Sequence, residues 1–361
     1  MLTEKIYLSP HYNSVEELEK DLEWYWSGSR FDSYMHCYRR GMVQYDKKLE
    51  PKVDDTLNLD VGTALHAALA VYYAYGGKKG GSVGRDMALQ ALLMTLEERG
   101  GLPILPPDDK NAHITPGHLQ IILKNYFKWA EAHDSIEPVT VTEDQLNLEN
   151  VLGARFKYTP EGKIVLGESA IIMRLTVQPP WEPFGSTIQY TYAGVPDLPV
   201  TMHGSVYVMD HKSTGWNLSS YWASKWRVDN TLRVYCVMIR ELLSQLNLNM
   251  RGILINAIHT GKQAARPGSK AKKFERYGPW NFDPGALKEA LWNHAAALLT
   301  REYYQTALGG YFPQSTGLYC PGCPAKHLCH QDPKMRPGVE VVNYRPKKHR
   351  HLLEVKNDSG E

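Results

Sequence analysis

The stretch Val195-Pro196-Asp197-Leu198-Pro199-Val200-Thr201-Met202-His203-Gly204-Ser205-Val206-Tyr207-Val208-Met209-Asp210-His211-Lys212 reads as one tight β-hairpin, and its register decides how the rest is read. With His203-Gly204 as a two-residue turn, the numbers of paired residues sum to 407, which sets Asp197 directly opposite Asp210. Directly opposed residues have Cβ atoms roughly 4.5–5.5 Å apart, and like charges held there repel, so the arrangement calls for a cation between them. The two-residue strand period puts Val206, Val208, Asp210 and Lys212 on one face. Two carboxylates and an ammonium then converge on one spot. Pro199 fits such a strand only if its nitrogen turns to an edge or a bulge.

Carboxylates and an ammonium in this grouping are the parts of a metal-dependent phosphodiesterase. Mg²⁺ and Mn²⁺ prefer oxygen ligands. A bound cation lowers the pKa of an attacking water, and a neighbouring lysine can orient that water. On this reading Asp197 and Asp210 are metal ligands and Lys212 is catalytic. The competing reading is a solvated hairpin whose charges face water. The cross-strand opposition and the apolar strand ahead of Asp210 argue against it.

A chain of 361 residues is long enough for a large core and holds one elaborated domain or two. With 43% hydrophobic and 22% charged residues it has a globular composition, and no apolar run approaches the roughly 20 residues needed to span a bilayer. Met1-Leu2-Thr3-Glu4-Lys5 lacks the charged-then-apolar layout of a signal peptide, so the cytoplasm is the expected location. A formal charge of +2 leaves nucleic-acid contacts to local patches. Gly76-Gly77-Lys78-Lys79-Gly80-Gly81 lacks the spacing of a phosphate loop, which argues against a fused ATP-driven motor.

The region 1–135 reads as helical. Ser14 caps a first helix, Ser29 to Arg40 forms a second carrying Tyr34 and Cys37, and Asp60 caps an apolar third from Val61 to Tyr75. Two more helices span Arg85 to Arg99 and His118 to His133. From 136 to 262 the period changes to two, with strands at Val139–Glu143, Lys163–Leu166, Ala170–Leu175 and Ile188–Tyr192 ahead of the hairpin. A long helix from Ser220 to Gln245 and a buried strand over Gly252–Ile258 complete this core. The region 263–335 holds a basic loop, a helix from Pro284 to Ala307 and a cysteine cluster; 336–361 reads as an exposed tail.

These motifs resemble the PD-(D/E)XK nuclease superfamily, here literally Pro196-Asp197 and Asp210-His211-Lys212. The resemblance is to the RecB-like branch, with a Gly-x-x-Asp strand from Gly194 to Asp197, an Asp-x-Lys-Thr-like strand in which Ser213 replaces Thr, and an upstream Gly-x-x-x-His helix at Gly62 to His66. It implies a restriction-endonuclease-like central mixed sheet flanked by helices, and it makes His66 a further metal ligand. Taken alone, a histidine on an apolar helix is more often a satisfied core residue, and it is the position of Gly62 to His66 ahead of the two acidic strands that favours the ligand reading. The branch carries Gln-x-x-x-Tyr on the following helix; here Thr231 stands for the glutamine while Tyr235 is present as an active-site candidate, with helix packing as its other reading and Arg233 as a possible substitute for the glutamine. Glu143 occupies a place where relatives often have an acidic residue, in a role near the site or facing solvent.

Of five cysteines, Cys37 stands alone early, Cys236 lies in an apolar helix, and Cys320-Pro321-Gly322-Cys323 with Cys329 forms a C-x-x-C-x5-C run. That spacing, with Ser29, Tyr34 and Cys37 in a Ser-x4-Tyr-x-x-Cys context, resembles the iron-sulfur members of this branch, including AddB-type and CRISPR-associated exonucleases. It implies a [4Fe-4S] cluster on Cys37, Cys320, Cys323 and Cys329; four thiolates also suit zinc, and uncoordinated cysteines are the third reading. A clasp closing the chain from Cys37 to Cys320 would remove unfolded-state entropy worth on the order of 5 kcal/mol.

Arg266, Lys270, Lys272, Lys273 and Arg276 form a basic run that reads either as a solvated face or as a loop tracking a phosphate backbone. Trp24, Trp26, Trp216, Trp222 and Trp226 are candidate stacking surfaces or core residues. The expectation is an α/β fold with a helical N-terminal region and a C-terminal cysteine clasp. The expected function is a Mg²⁺- or Mn²⁺-dependent DNA exonuclease: the residues themselves point to phosphodiester hydrolysis, and the resemblance implies single-stranded ends as substrate, in recombination, repair or phage DNA processing alongside a protein partner. The alternative, suggested by the absent glutamine, is a non-catalytic DNA-binding or assembly subunit.

Overall fold

The computed structural model describes residues 2–22, 25–52, 57–180, 187–262, 272–313, 315, 320, 323–347 and 353. The N-terminal part runs β1 (Thr3–Leu8), α1 (Val15–Asp21), α2 (Gly28–His36), α3 (Tyr38–Gly41), β2 (Leu49–Pro51), α4 (Leu57–Ala74), α5 (Gly81–Glu98) and α6 (Pro116–His133). There follow β3 (Glu137–Pro138), β4 (Thr140–Val141), β5 (Val151–Tyr158), β6 (Ile164–Val177), β7 (Ile188–Gly194), β8 (Leu198–Met202) and β9 (Ser205–Thr214). The remainder is α7 (Ser220–Ser224), α8 (Asn230–Leu242), β10 (Met250–His259), β11 (Phe274–Asn281), α9 (Pro284–Thr306), α10 (Lys326–Cys329), α11 (Arg336–Asn343) and β12 (Tyr344–Pro346).

The hairpin β8–β9 has the expected register, with Leu198 opposite Met209 and Met202 opposite Ser205. His203 and Gly204 both have positive φ, 49° and 73°, as a type I′ turn requires. The carbonyl of Pro199 accepts from Val139 N, so the proline faces the two-residue edge strand β3, where a missing N–H costs least. This sheet has the order β11-β10-β9-β8-β3 and is mixed: β10 runs parallel to β9 and the other pairs are antiparallel. A parallel neighbour needs a crossover, which α7 and α8 supply. Helices cover both faces. Val206, Val208, Ile253 and Ile255 pack with α8 and α9 on one side, and Tyr207, Met209, Leu254 and Ile258 pack with α4, α5 and α6 on the other. The fold is thus mixed α/β, a central sheet flanked by helices with a helical N-terminal region.

A second, antiparallel sheet of order β1-β5-β6-β4, with β7 paired to β6, leads into the hairpin. Two of its strands have weak sequence signals: β1 is an edge strand rich in charge, and β5 carries Gly153, Ala154, Arg155 and Lys157 with two register shifts. The two strands expected at 163–166 and 170–175 are one, β6, interrupted at Gly167-Glu168, where Glu168 has φ 54°.

Several other expectations change. The strand expected at Val139–Glu143 is reduced to the two-residue β4, preceded by β3 and followed by a 3-10 turn from Glu143 to Gln145. The long helix at 220–245 breaks at Asp229, whose carboxylate caps α8 by accepting from Leu232 N. Asp60 lies one turn inside α4 and pairs with Arg99 rather than capping. Part of the expected tail is folded, since α11 is helical and β12 pairs with β2. Among the described residues no helix is long and apolar enough to cross a membrane.

Two buried polar groups carry stability consequences. Arg276, on β11, forms an ion pair with the buried Asp134, donates to the Tyr73 hydroxyl at 2.8 Å and stacks over Trp129. It is therefore a core residue and not part of a phosphate-tracking loop. His294, on α9, is fully buried among Phe31, Trp26, Tyr190 and Tyr192, stacked 3.7 Å from Phe31, and neither ring nitrogen has a hydrogen-bond partner.

Arg276→Ala strands the Asp134 carboxylate in the core and should cost about 3–5 kcal/mol in urea unfolding. Burial pushes the His294 pKa down to about 3. The unfolded state then takes up a proton below the ordinary imidazole pKa while the folded state does not, so stability is lost as pH falls from about 6.5. His294→Phe should remove about 2 kcal/mol of the difference between urea melts at pH 7 and pH 5.

Candidate active site

Asp197 leaves β7 through Val195-Pro196 and enters β8; carrying the β8–β9 register one step further opposes it to Asp210. Both carboxylates are buried. Asp197 Oδ2 accepts from the backbone N–H of His211 at 2.6 Å, so the strand itself holds the side chain. Lys212 Nζ lies 2.6 Å from Asp210 Oδ2, as the two-residue period requires. Asp210 Oδ2 is nonetheless buried without an aligned hydrogen-bond donor, an acceptor that a cation would satisfy.

His66 reaches this spot from α4, which crosses β9 where a Cβ on Gly62 would sit 3.7 Å from Ser213 Oγ. Its Nδ1 is 3.3 Å from Asp197 Oδ2 and 3.3 Å from Glu168 Oε1. His66, Glu168 and Asp197 present ligand atoms that lie within 4.8 Å of one another, a donor set suited to a divalent cation. Glu168 is the site residue that the sequence reading missed. It arrives because β6 kinks: Glu168 N donates to the carbonyls of Pro196 and Asp197 at 2.9 and 3.0 Å. Gly167 permits that approach, since a Cβ there would meet Asp197 O at 2.9 Å. The signal was the break Gly167-Glu168-Ser169 between two apolar runs.

The electrostatics separate the two aspartates. Burial and the charge of Asp197 raise Asp210 to about 7 against the pull of Lys212. Burial also works to raise Asp197, but His66, Lys212 and His211 hold it well below the usual carboxylate range. Burial opposes the charge on His66, and Asp197 and Glu168 overcome it, raising its pKa well above the ordinary value. His211 is pushed down to about 3, chiefly by burial, so its ring is neutral; its Nδ1 meets Asn256 Nδ2 at 2.8 Å.

Tyr235, on α8, lines the same cleft. It fits because residue 194 is glycine: a Cβ there would come within 2.7 Å of the ring. Thr231, in the place of the branch's glutamine, packs against α2, where a Cβ on Gly28 would fall 2.3 Å from its methyl. Arg233 does not substitute for that glutamine, because it turns to Glu289 on α9 and stacks over Phe282. Glu143 is also distant in role: it accepts from the Tyr158 hydroxyl at 2.5 Å and pairs with Lys5 in a largely exposed setting.

The open cleft has a volume of about 1160 Å³, with Asp197, Asp210, Lys212 and Tyr235 among its lining residues and Arg345 and Lys347 contributed from near the C-terminus. Of the basic run, Arg266 and Lys270 lie outside the described residues, and Lys272 pairs with Glu275. Trp24 is likewise outside them; Trp26 is fully buried, whereas Trp216 is exposed.

The cysteines expected to form a clasp are distributed across the junction of the chain's two ends. Cys37 follows α2, and its Sγ accepts from Ser315 N at 3.4 Å, while Cys320 Sγ donates to Ser315 O at 3.7 Å. Burial raises the Cys323 and Cys329 thiols, and neighbouring thiols add to this: Cys37 and Cys320 act on Cys323, Cys37 and Cys323 on Cys329. Cys323 and Cys329 pack against Val43, Ala325, Leu328 and Tyr344. Cys236 is fully buried in α8, its thiol donating to Gly252 O.

No curated protein matches the chain. The family model of the PD-(D/E)XK nuclease superfamily matches residues 25–330, a span that contains His66, Glu168, Asp197, Asp210, Lys212, Tyr235 and Cys37 through Cys329. With so much of its length matched, and with a His/Glu/Asp group beside the motif lysine, the chain belongs to the PD-(D/E)XK nuclease superfamily.

Proposed function

We propose that the protein is a Mg²⁺- or Mn²⁺-dependent DNA exonuclease acting on single-stranded ends. The observation that carries this reading is the convergence of His66 and Glu168 on Asp197, which lines one open cleft together with Asp210 and Lys212. His66, Asp197, Asp210 and Glu168 would hold the cation. The cation would supply an activated water and charge stabilisation at the phosphate. Lys212, fixed by Asp210, orients the nucleophile and stabilises charge on a non-bridging oxygen. Tyr235 positions the substrate from the cleft wall. The preference for single-stranded ends, and a role in recombination, repair or phage DNA processing alongside a protein partner, are what the RecB-like motifs imply.

Asp197→Ala, Asp210→Ala and Lys212→Ala should each reduce cleavage at least about 1000-fold while DNA binding persists. End-labelled single-stranded, double-stranded and circular substrates in Mg²⁺ or Mn²⁺ test this together. Full cleavage by the Asp210 variant, or cutting of the circle as fast as of linear ends, would defeat the assignment. Glu168→Gln and His66→Ala should weaken Mn²⁺ binding about 10- to 100-fold with little change in thermal stability. Early melting without a change in Mn²⁺ affinity would make these two residues structural.

We further propose that Cys37, Cys320, Cys323 and Cys329 hold a [4Fe-4S] cluster that clasps the N-terminal helices to the C-terminal segment, with zinc as the alternative. Support comes from thiols close enough to perturb one another and from Arg39 and Arg40, whose charges act on Cys329 and Cys323 and would offset a negative cluster. Anaerobically purified protein should be brown, with iron and sulfide near four each per chain. Replacing any of the four cysteines should bleach the colour and lower the melting temperature, whereas Cys236→Ser should leave the colour intact. Colourless protein with about one zinc per chain would make the clasp a zinc site.

A further inference from the structure

Beyond Lys212 the chain leaves the sheet and crosses to α8 through a segment with an unusual surface. Trp216 is 80% exposed and Tyr221 is 91% exposed. Tyr221 and Lys225 are four residues apart along α7 and the 3-10 turn that continues it, so they share one side of that segment. Lys225 and Arg227 are exposed, and Val228 extends the apolar surface. Isolated exposed aromatics need no explanation, but two within the crossover that follows the motif lysine, interleaved in sequence with exposed cations, invite one.

Trp226 and Lys225 tie this segment to the reacting groups. Trp226 lies in the 3-10 turn, and its ring carries Lys212 Nζ at 4.6 Å and Lys225 Nζ at 4.3 Å from the centroid. Trp222 packs edge-on against Trp226 at 6.2 Å and supports it from behind. Trp226 lines the cleft beside Asp197 and Asp210, and its Nε1 is buried without a hydrogen-bond partner. Lys212 is neutralised by Asp210, whereas Lys225 makes no ion pair among the described residues. Burial and the neighbouring Lys212 charge both disfavour its protonated form. With Lys212 engaged by Asp210, Lys225, favoured only by the more remote charge of Asp229, is the ammonium over this indole open to an anion, and an anion meeting it there stands next to Lys212.

We propose that residues 216–228 are the platform on which a single-stranded nucleic acid enters the site, with a phosphate on Lys225 and unpaired bases stacked on Tyr221 and Trp216. The proposal rests on the nuclease reading and specifies its substrate contacts. A duplex keeps its bases stacked on each other and offers these rings only its backbone, so the platform discriminates by strand state rather than by sequence.

The test is fluorescence anisotropy with a labelled oligothymidylate of about 20 nucleotides and a duplex of the same length, in EDTA so that cleavage does not intervene. The Trp216→Ala/Tyr221→Ala double variant should bind the oligothymidylate about 10- to 100-fold more weakly, with duplex affinity changed less than about twofold. Tyr221→Phe, which keeps the ring, should bind like the wild type. Lys225→Gln should flatten the slope of log K against log salt by about 0.7. Because both aromatics are exposed, melting temperatures should be unchanged. Oligothymidylate binding unaffected by the double variant would overturn the platform and leave the patch as a protein-docking face; equal losses on both substrates would overturn the strand discrimination. Wild-type protein that binds neither nucleic acid would instead bring down the nuclease reading on which the platform rests.

Discussion

Asp197 and Asp210 face each other from the two strands of one hairpin, and keeping two buried carboxylates side by side constrains everything around them. The His203-Gly204 turn fixes the register, and a slip of one residue would exchange Asp210 for His211 on that face. Each neighbour answers the same electrostatic demand: Lys212 lies against Asp210, while His66 and the His211 N–H converge on Asp197. Without a cation the pair divides its charge unequally, with Asp210 raised to about 7 and Asp197 held ionised. A carboxyl with a raised pKa keeps its proton to higher pH in the folded state, so the metal-free protein loses stability as pH climbs from about 4 toward 7. A cation reverses that sign by favouring both charges.

What the sequence conveyed about this site follows from how local each signal is. The hairpin was legible because a two-residue turn and a period of two determine which side chains meet, and the observed register agrees from Leu198↔Met209 to Met202↔Ser205. Gly62 to His66 was legible only through its likeness to a family motif, because a helix of nearly uniform apolar character does not disclose which face meets the sheet. Glu168 was not legible. Its position depends on a left-handed kink and on a contact between β6 and the Pro196-Asp197 peptide, neither of which a strand pattern encodes. Arg276 misled for the opposite reason: a run of basic residues looks like a solvated or ligand-facing loop, whereas the carboxylate that claims this one lies 142 residues earlier, at Asp134.

The break in the expected helix at Asp229 has the same lesson at the scale of the site. A continuous helix from Ser220 would carry Trp226 around the helix axis in step with its neighbours. The 3-10 turn capped by Asp229 instead brings the indole over Lys212, so one capping residue links the crossover connection to the ammonium in the cleft. Thr231 illustrates how packing dictates composition: its methyl lies where a Cβ on residue 28 would be, so α2 carries glycine there.

The pairing of β2 with β12 joins Leu49–Pro51 to Tyr344–Pro346, and Arg345 on that far strand and Lys347 just after it line the cleft. Contacts so distant in sequence close late in folding, because most of the intervening chain must already be ordered. During synthesis the helices and the hairpin can assemble before β12 has emerged from the ribosome. The nascent protein therefore passes through a stage in which the aspartates are in place and one wall of the cleft is missing.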